Sequence, residues 1–249
     1  MKQDKDKKSN YEFLGKTLFF PEQGILAIGD LHIGYEQAMM ESGILLPEHQ
    51  VKEVIESLEK VIEEIKSKKQ KIKKFIFLGD IKHFFSYERE EKINFNKILE
   101  FLGKYVAENN IILIKGNHDT MDYSYGNMKD YYIEEDVAFL HGHLSFPEVF
   151  DKKVNIIVSG HLHPSIILEE NPGVKHETYK CFLVGPSKGK TFIVMPSFLE
   201  FYEGTPINYY QEDFVESFSI IPKKDIIKFS VHVVGEDKVY DFGRVKDLN

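Results

Sequence analysis

The chain has 249 residues, 42% of them hydrophobic, and a formal charge of −8 at pH 7. That length and apolar content predict a folded α/β domain with an ample core, not a fibrous or disordered chain. The acidic balance disfavours broad nonspecific DNA binding, no run reaches the roughly 20 apolar residues of a membrane span, and the one cysteine, Cys181, excludes an internal disulfide.

In chain order, Met1–Asn10 reads as a mixed-charge, lysine-rich tail without order, and residues 11–249 as one domain. Gly24–Gly29 is an apolar run closed by glycine, a buried strand that delivers Asp30-Leu31-His32. Pro47 to Lys69 carries Val51, Val54, Ile55, Leu58, Ile62 and Ile65 at helical spacing, with proline suited to the first turn. The basic run Lys66, Lys68, Lys69, Lys71, Lys73 and Lys74 reads as a solvated helix end, cations near the negative pole of the dipole. Phe75–Leu78 is a second strand, ending in Gly79-Asp80-Ile81-Lys82-His83. A second amphipathic helix covers Glu88 to Asn109. Ile111–Lys115 then leads to Gly116-Asn117-His118-Asp119. After Val137 short strands dominate. His141-Gly142-His143 is followed by Ile156–Ser159, which ends in Gly160-His161-Leu162-His163. Gly185–Thr191 resembles a phosphate-binding loop but has three residues between its glycines where the motif needs four, and a strand follows where a helix must. It reads as a hairpin turn. Phe229–Val234 begins a strand pair around Gly235-Glu236.

Seven of the ten histidines lie in these post-strand signatures. Open α/β sheets bind ligands beyond the carboxyl ends of their strands, so the signatures are placed to meet in one crevice. Two carboxylates, an amide oxygen and several imidazoles form the donor mixture that a pair of divalent cations requires. Asp80 is the natural bridge. Asp30, His32 and His163 complete one site, and Asn117, His141 and His161 the other. His118 is assigned to the transition state or leaving group, with Asp119 orienting it, and His83 is a second candidate for that contact. His143 has no settled role, and His49, His176 and His232 read as packing or surface residues.

The ordered set resembles the calcineurin-like metallophosphoesterase superfamily, whose signature runs Asp-x-His, Gly-Asp-x-x-His/Asp, Gly-Asn-His-Asp/Glu, His and Gly-His-x-His. More narrowly, Leu31–Glu36, Gly43–Pro47, Gly160–Pro164, Lys180–Leu183 and Val194–Phe198 resemble small SbcD-related phosphoesterases found mainly in archaea. The resemblance implies a four-layer α/β/β/α sandwich of two sheets flanked by helices, with a dinuclear centre at the strand ends. It implies hydrolysis of a phosphoester by a metal-bridging hydroxide, and it supports the ligand roles above. Manganese is the expected metal, with iron, zinc and nickel as alternatives. A nucleotide or nucleic-acid phosphodiester leads as substrate; a phosphomonoesterase and a non-catalytic scaffold for a protein partner are the other readings. A cytoplasmic location without membrane contact is expected, and self-association stays open.

Overall fold

The computed structural model describes residues 11–44, 49–85, 89–119, 128–169, 176–209 and 219–248; the expected tail over 1–10 lies outside them. Within these residues the apolar runs form strands buried on both faces, so successive side chains serve two different cores. The first sheet holds β1 (Glu12–Leu14), β2 (Thr17–Phe20), β3 (Ile25–Ile28), β4 (Lys74–Phe77) and β5 (Ile111–Leu113), in that spatial order. β1 to β3 form an antiparallel meander, whereas β3, β4 and β5 run parallel. Parallel neighbours need long crossovers. These are supplied by α1 (Tyr35–Glu41) and α2 (Gln50–Ser67) before β4, and by α3 (Arg89–Leu102) before β5. Phe19, Leu26, Ile28, Phe75 and Phe77 pack with Leu58, Ile62, Phe95 and Ile98 of the helices. The alternate residues Leu18, Phe20, Ile25, Ala27 and Ile76 face the other way, onto Phe139, Val158, Phe182 and Ile193 of the second sheet.

That second sheet has the order β12 (Thr205–Pro206), β9 (Pro164–Glu169), β10 (His176–Ser187), β11 (Lys190–Val194), β8 (Ile156–Ser159), β7 (Val137–Leu140), β6 (Tyr131–Glu134). β13 (Ser230–Val234) and β14 (Val239–Arg244) branch from β10. Its outer face carries Leu140, Ile157, Leu183 and Phe192 against Val149, Val245 and Ile226, the last in α4 (Lys223–Ile226). The result is the four-layer α/β arrangement expected, with a thin outer layer beyond the second sheet. The parallel strands β3, β4 and β5 and the parallel set β7, β8 and β11 point their carboxyl ends at one rim.

Local detail departs from the expected elements at some points and agrees with them at others. The second long helix ends at Leu102, not Asn109, because Gly103 follows and is a poor helix residue. Glu108–Asn110 forms a separate 3₁₀ turn. The β1–β2 hairpin, turning at Gly15-Lys16, was not read from sequence, since Glu12–Leu14 is too short to show a period. The phosphate-loop look-alike is a β10–β11 hairpin. Lys188 and Gly189 take φ of 48° and 75°, the left-handed pair that two-residue hairpins favour. Of the first predicted helix, Pro47 lies outside the described residues and the observed start is Gln50.

Ile76 sits fully buried between the sheets. Ile76→Ala should therefore cost about 2–5 kcal/mol of unfolding free energy, read as a lower urea midpoint at unchanged slope. An unshifted midpoint would contradict its placement in the inter-sheet core.

Candidate metal centre

Five post-strand loops meet at the shared rim. Asp30 and His32 follow β3, Asp80 and His83 follow β4, and Asn117 and His118 follow β5; His141 directly follows β7, and His161 and His163 follow β8. The first two loops are tied together by the backbone. The amides of Leu31 and His32 donate to the Asp80 carbonyl at 3.2 and 2.9 Å, and the His83 amide donates to the Ile33 carbonyl at 2.9 Å. Close approach requires glycine at two points. A Cβ on Gly116 would stand 2.1 Å from Asp80 Oδ1, and one on Gly160 would stand 2.4 Å from Asp30 Oδ2. His32, Asp80, His161 and His163 themselves take φ of 44°, 45°, 65° and 46°. A left-handed non-glycine residue costs on the order of 1–3 kcal/mol. Four of them at one rim mark a conformation held for the site, not for the fold.

Two donor groups result, and Asp80 belongs to both. Asp30, His32, Asp80 and His163 offer atoms within 4.8 Å of one another, as do Asp80, His141 and His161. Within the first, His163 Nε2 lies 3.3 Å from Asp30 Oδ1, 3.4 Å from His32 Nε2, and His32 Nε2 lies 3.8 Å from Asp80 Oδ2. Within the second, His141 Nε2 is 3.0 Å from both His161 Nδ1 and Asn117 Oδ1, and 3.4 Å from Asp80 Oδ2. Two donors bound about 2.1 Å from one cation at angles near 90–110° stand about 3.0–3.4 Å apart. The residues therefore fit divalent ions, and the nitrogen, carboxylate and amide chemistry suits a transition metal. All seven residues expected as ligands are gathered here. A further trio, His32, His83 and His118, also lies within 4.8 Å.

The surroundings fix these side chains. His141 Nδ1 donates to the Leu78 carbonyl at 2.9 Å, which leaves Nε2 facing Asp80, Asn117 and His161. The Asp30 carbonyl accepts from the Phe198 amide at 2.9 Å. The strap that supplies it is pinned by Lys180, whose Nζ donates to the carbonyls of Ser197, at 3.1 Å, and Leu199. Burial and the neighbouring Lys16 lower the Lys180 pKa to about 7, although Glu200 opposes them. Gln50 is buried at the start of α2 and bridges the Asp30–His32 loop. Its Nε2 donates to the carbonyls of Leu31 and His32 at 3.0 and 2.9 Å, and its Oε1 accepts from Gly34 at 3.2 Å. Glu91 of α3 accepts from the amides of His83 and Phe84, each at 2.9 Å. Sequence reading missed Gln50 and Glu91, because a polar residue near a helix start looks like an ordinary solvated one.

The expected hydrogen bond between Asp119 and His118 is not the one formed. Asp119 turns inward and accepts from the amides of Gly116 at 2.9 Å and Ile81 at 3.2 Å, while the His118 Nδ1 lies 2.6 Å from the His83 carbonyl. Two buried amides with no strand partner outbid a side chain that has a carbonyl within reach. His83 thus orients His118 through its backbone, and its ring packs 5.8 Å from that of His118. The His118 amide donates to Asp80 Oδ1 at 2.9 Å, and its Nε2 lies 4.0 Å from Asp80 Oδ2. His143 stands at the edge of the second group, its ring 5.1 Å from His141. The basic run lies at the opposite end of β4 from the rim. There Lys68 pairs with Glu12 and Glu64, Lys74 with Glu134, and Lys66 covers the Tyr105 ring.

Charge follows from this packing. Burial would raise the Asp30 pKa, yet the imidazoles of His163 and His141 hold it well below the carboxylate range. Asp80 is likewise held at about 2, with His141 overcoming burial. His141 carries the reciprocal effect: burial opposes its charge, but Asp80 and Asp30 raise its pKa well above 6.5. Burial lowers His32 to about 3 and His161 to about 4, each reinforced by a neighbouring imidazole. Burial and Asp80 raise Asp119 to about 6.

The sequence model of the calcineurin-like phosphoesterase family matches residues 24–152, more than half of the chain. No curated protein matches. Among solved structures, the nuclease MPE of Pseudomonas putida is 17% identical, covers 91% of this chain and 92% of its own, and superposes with a TM-score of 0.59, a likeness of fold. A protein of unknown function from Aquifex aeolicus is 18% identical over 56% of this chain and 78% of its own, with a TM-score of 0.36. A metallophosphoesterase from Sphaerobacter thermophilus is 14% identical over 90% of each chain, with a TM-score of 0.31.

Two outcomes follow from the geometry. Gln50→Leu should leave the fold intact but weaken divalent-metal affinity roughly 10–100-fold, because the loop carrying His32 loses its bridge; calorimetric titration reads this, and an unchanged affinity would remove Gln50 from the site. Asp80 and Asp30 favour the protonated form of His141, whereas burial favours the neutral forms of His32 and His161. Metal loading must then expel the His141 proton, so affinity should rise with pH. Titration in two buffers of different ionisation enthalpy should show proton release, and identical heats would contradict the protonated His141.

Proposed function

This chain belongs to the calcineurin-like phosphoesterase family, and from that membership we propose that it hydrolyses a phosphodiester of nucleotide or nucleic-acid type with two divalent metal ions, manganese in the first instance. The observation that carries this reading is the sharing of Asp80 between both donor groups. One carboxylate common to two sets of ligands would serve two cations at once, as two-metal hydrolases require. In this reading Asp30, His32 and His163 complete the first site with Asp80, and Asn117, His141 and His161 complete the second. When bound, the metals supply an activated water and neutralise charge developing on the phosphoryl oxygens.

The remaining residues handle the organic part of the ester. His118 has its Nδ1 engaged with the His83 carbonyl, so its Nε2 edge is the one available to the substrate. With both ring nitrogens protonated, that edge gives its Nε2 proton to the leaving oxygen, or donates a hydrogen bond to the charge building on it, and the ring is left with the Nδ1 proton held by the His83 carbonyl. His83 keeps His118 in this orientation. Asp119, bound to backbone amides, holds the β4 and β5 loops in register and acts on His118 only through them. Alternate residues of the same strands serve the middle core and one outer core, as Leu26 and Ala27 do in the first sheet and Leu140 and Phe139 in the second, which supports one domain. Among the described residues no helix is long and apolar enough to cross a membrane.

The test is an assay of the manganese-loaded protein on a bis-aryl phosphodiester, an aryl monoester, cyclic nucleotides, and single- and double-stranded DNA. Faster cleavage of diesters is expected. Preference for the monoester would overturn the diester assignment, and inactivity with both metals bound would favour the scaffold reading. His118→Gln should keep metal content while lowering turnover about 10²-fold or more; near-normal turnover would refute its role.

A further inference from the structure

His143 is the one histidine of the post-strand signatures to which the metal centre gives no task. It belongs to none of the donor groups among the described residues. Its position is nevertheless closely fixed. Gly142 takes φ of 113°, and a Cβ there would stand 3.2 Å from the Cβ of Ser159. The left-handed glycine carries the chain through a turn that leaves the rings of His141 and His143 only 5.1 Å apart. Two backbone hydrogen bonds hold this turn. The Gly160 amide donates to the His141 carbonyl at 2.9 Å, and the Ile220 amide donates to the Gly142 carbonyl at 3.2 Å.

The ring nitrogens carry the argument. Nδ1 is enclosed and makes no hydrogen bond. Nε2 makes none among the described residues either, and it is not enclosed. An N–H without an acceptor costs more inside the protein than at an open edge, so the neutral ring carries its proton on Nε2. The ring lies 5.1 Å from His141 and 5.9 Å from His161, which puts that N–H beside the second donor group. Asp80 and Asp130 attract the ring through space, and neither is hydrogen-bonded to it.

We propose that His143 is a substrate-contacting residue whose Nε2–H donates to a non-bridging oxygen of the phosphoryl group. The inference rests on the phosphoesterase reading above and adds to it how the phosphoryl anion itself is recognised, whatever group it carries. His118 stands with His32 and His83 on the flank of the first donor group, where it serves the leaving oxygen. His143 stands on the other flank and meets an oxygen that stays on phosphorus. A hydrogen bond to an ionic oxygen is roughly twice as strong as one to a neutral partner, and it requires nothing of the organic part of the ester. His143 therefore holds substrate and phosphate product alike, and its contribution is independent of the leaving group.

The test uses the manganese-loaded protein with inorganic phosphate as the probe, binding being read by calorimetry. His143→Ala should weaken phosphate binding roughly 10- to 100-fold and leave manganese affinity unchanged. His143→Gln, whose amide N–H reaches toward the position of Nε2, should recover most of the loss. Across aryl phosphodiesters of differing leaving-group acidity, His143→Ala should lower kcat/KM by one common factor, whereas His118→Gln should slow the poorest leaving groups most. Unchanged phosphate affinity in His143→Ala overturns the proposal. So does a fall in manganese affinity, which would make His143 a ligand, or a loss that varies with the leaving group. A Gln variant as weak as the Ala variant would leave His143 only a packing role and also overturns it. If esters are cleaved and phosphate binding survives His143→Ala, only this inference fails. If no ester is cleaved and the unsubstituted protein does not bind phosphate, the phosphoesterase reading fails and takes this one with it.

Discussion

Two ionised carboxylates buried at one rim are the constraint around which this molecule is arranged. Asp30 is fully buried and Asp80 is 2% exposed, and neither can stay charged in such a place without positive charge beside it. The imidazoles answer that need. In the metal-free protein His141 becomes the cation, 3.2 Å from Asp30 and 3.4 Å from Asp80. Divalent ions would replace its proton with a larger charge at the same place. The rim is therefore electrostatically incomplete by construction, and a bound divalent ion would complete it.

The rest of the fold keeps that arrangement rigid. Left-handed conformations at His32, Asp80, His161 and His163 oppose folding, and only the packing of the two sheets can hold them. The inter-sheet core does so from below. Gln50 and Glu91 do so from the side, tying the β3 and β4 loops to the first turns of two helices. Lys180 secures the strap that caps Asp30 from the second sheet. Each sheet contributes donors to the second group, so the two sheets cannot slide without separating His141 and His161 from Asp80. Site and fold are in this sense one object. The basic run at the far end of β4 takes no part, and Lys68 and Lys74 within it pair with nearby glutamates instead.

Much of this was legible before any coordinates. Strand, glycine and ligand occur in one order along the chain, and each apolar run ends at a polar group because the strand stops where the site begins. The strands that lead into the site, the parallel βαβ half and all seven gathered donors could be read from that pattern alone. So could the dismissal of Gly185–Thr191 as a nucleotide loop, since loop length is a local property. The first two strands escaped because three or four residues show no period. The second helix was read too long because Tyr105 and Val106 continue the apolar spacing beyond Gly103, and both pack on the same core after the helix has ended.

What the chain alone determined is which residue types stand at the strand ends, because periodicity and glycine placement are local and survive without a partner. What only the tertiary structure decided is who faces whom. Asp119 and His118 are adjacent in sequence and looked like a pair, yet their side chains leave the backbone in different directions, one to buried amides and the other to the carbonyl of His83. Gln50 and Glu91 gained their places only when the chain folded back on itself, Gln50 onto the loop of His32 and Glu91 onto the amides of His83 and Phe84. Hydrogen bonds and ring contacts are settled by distance in space, and that distance exists only once the two sheets have packed.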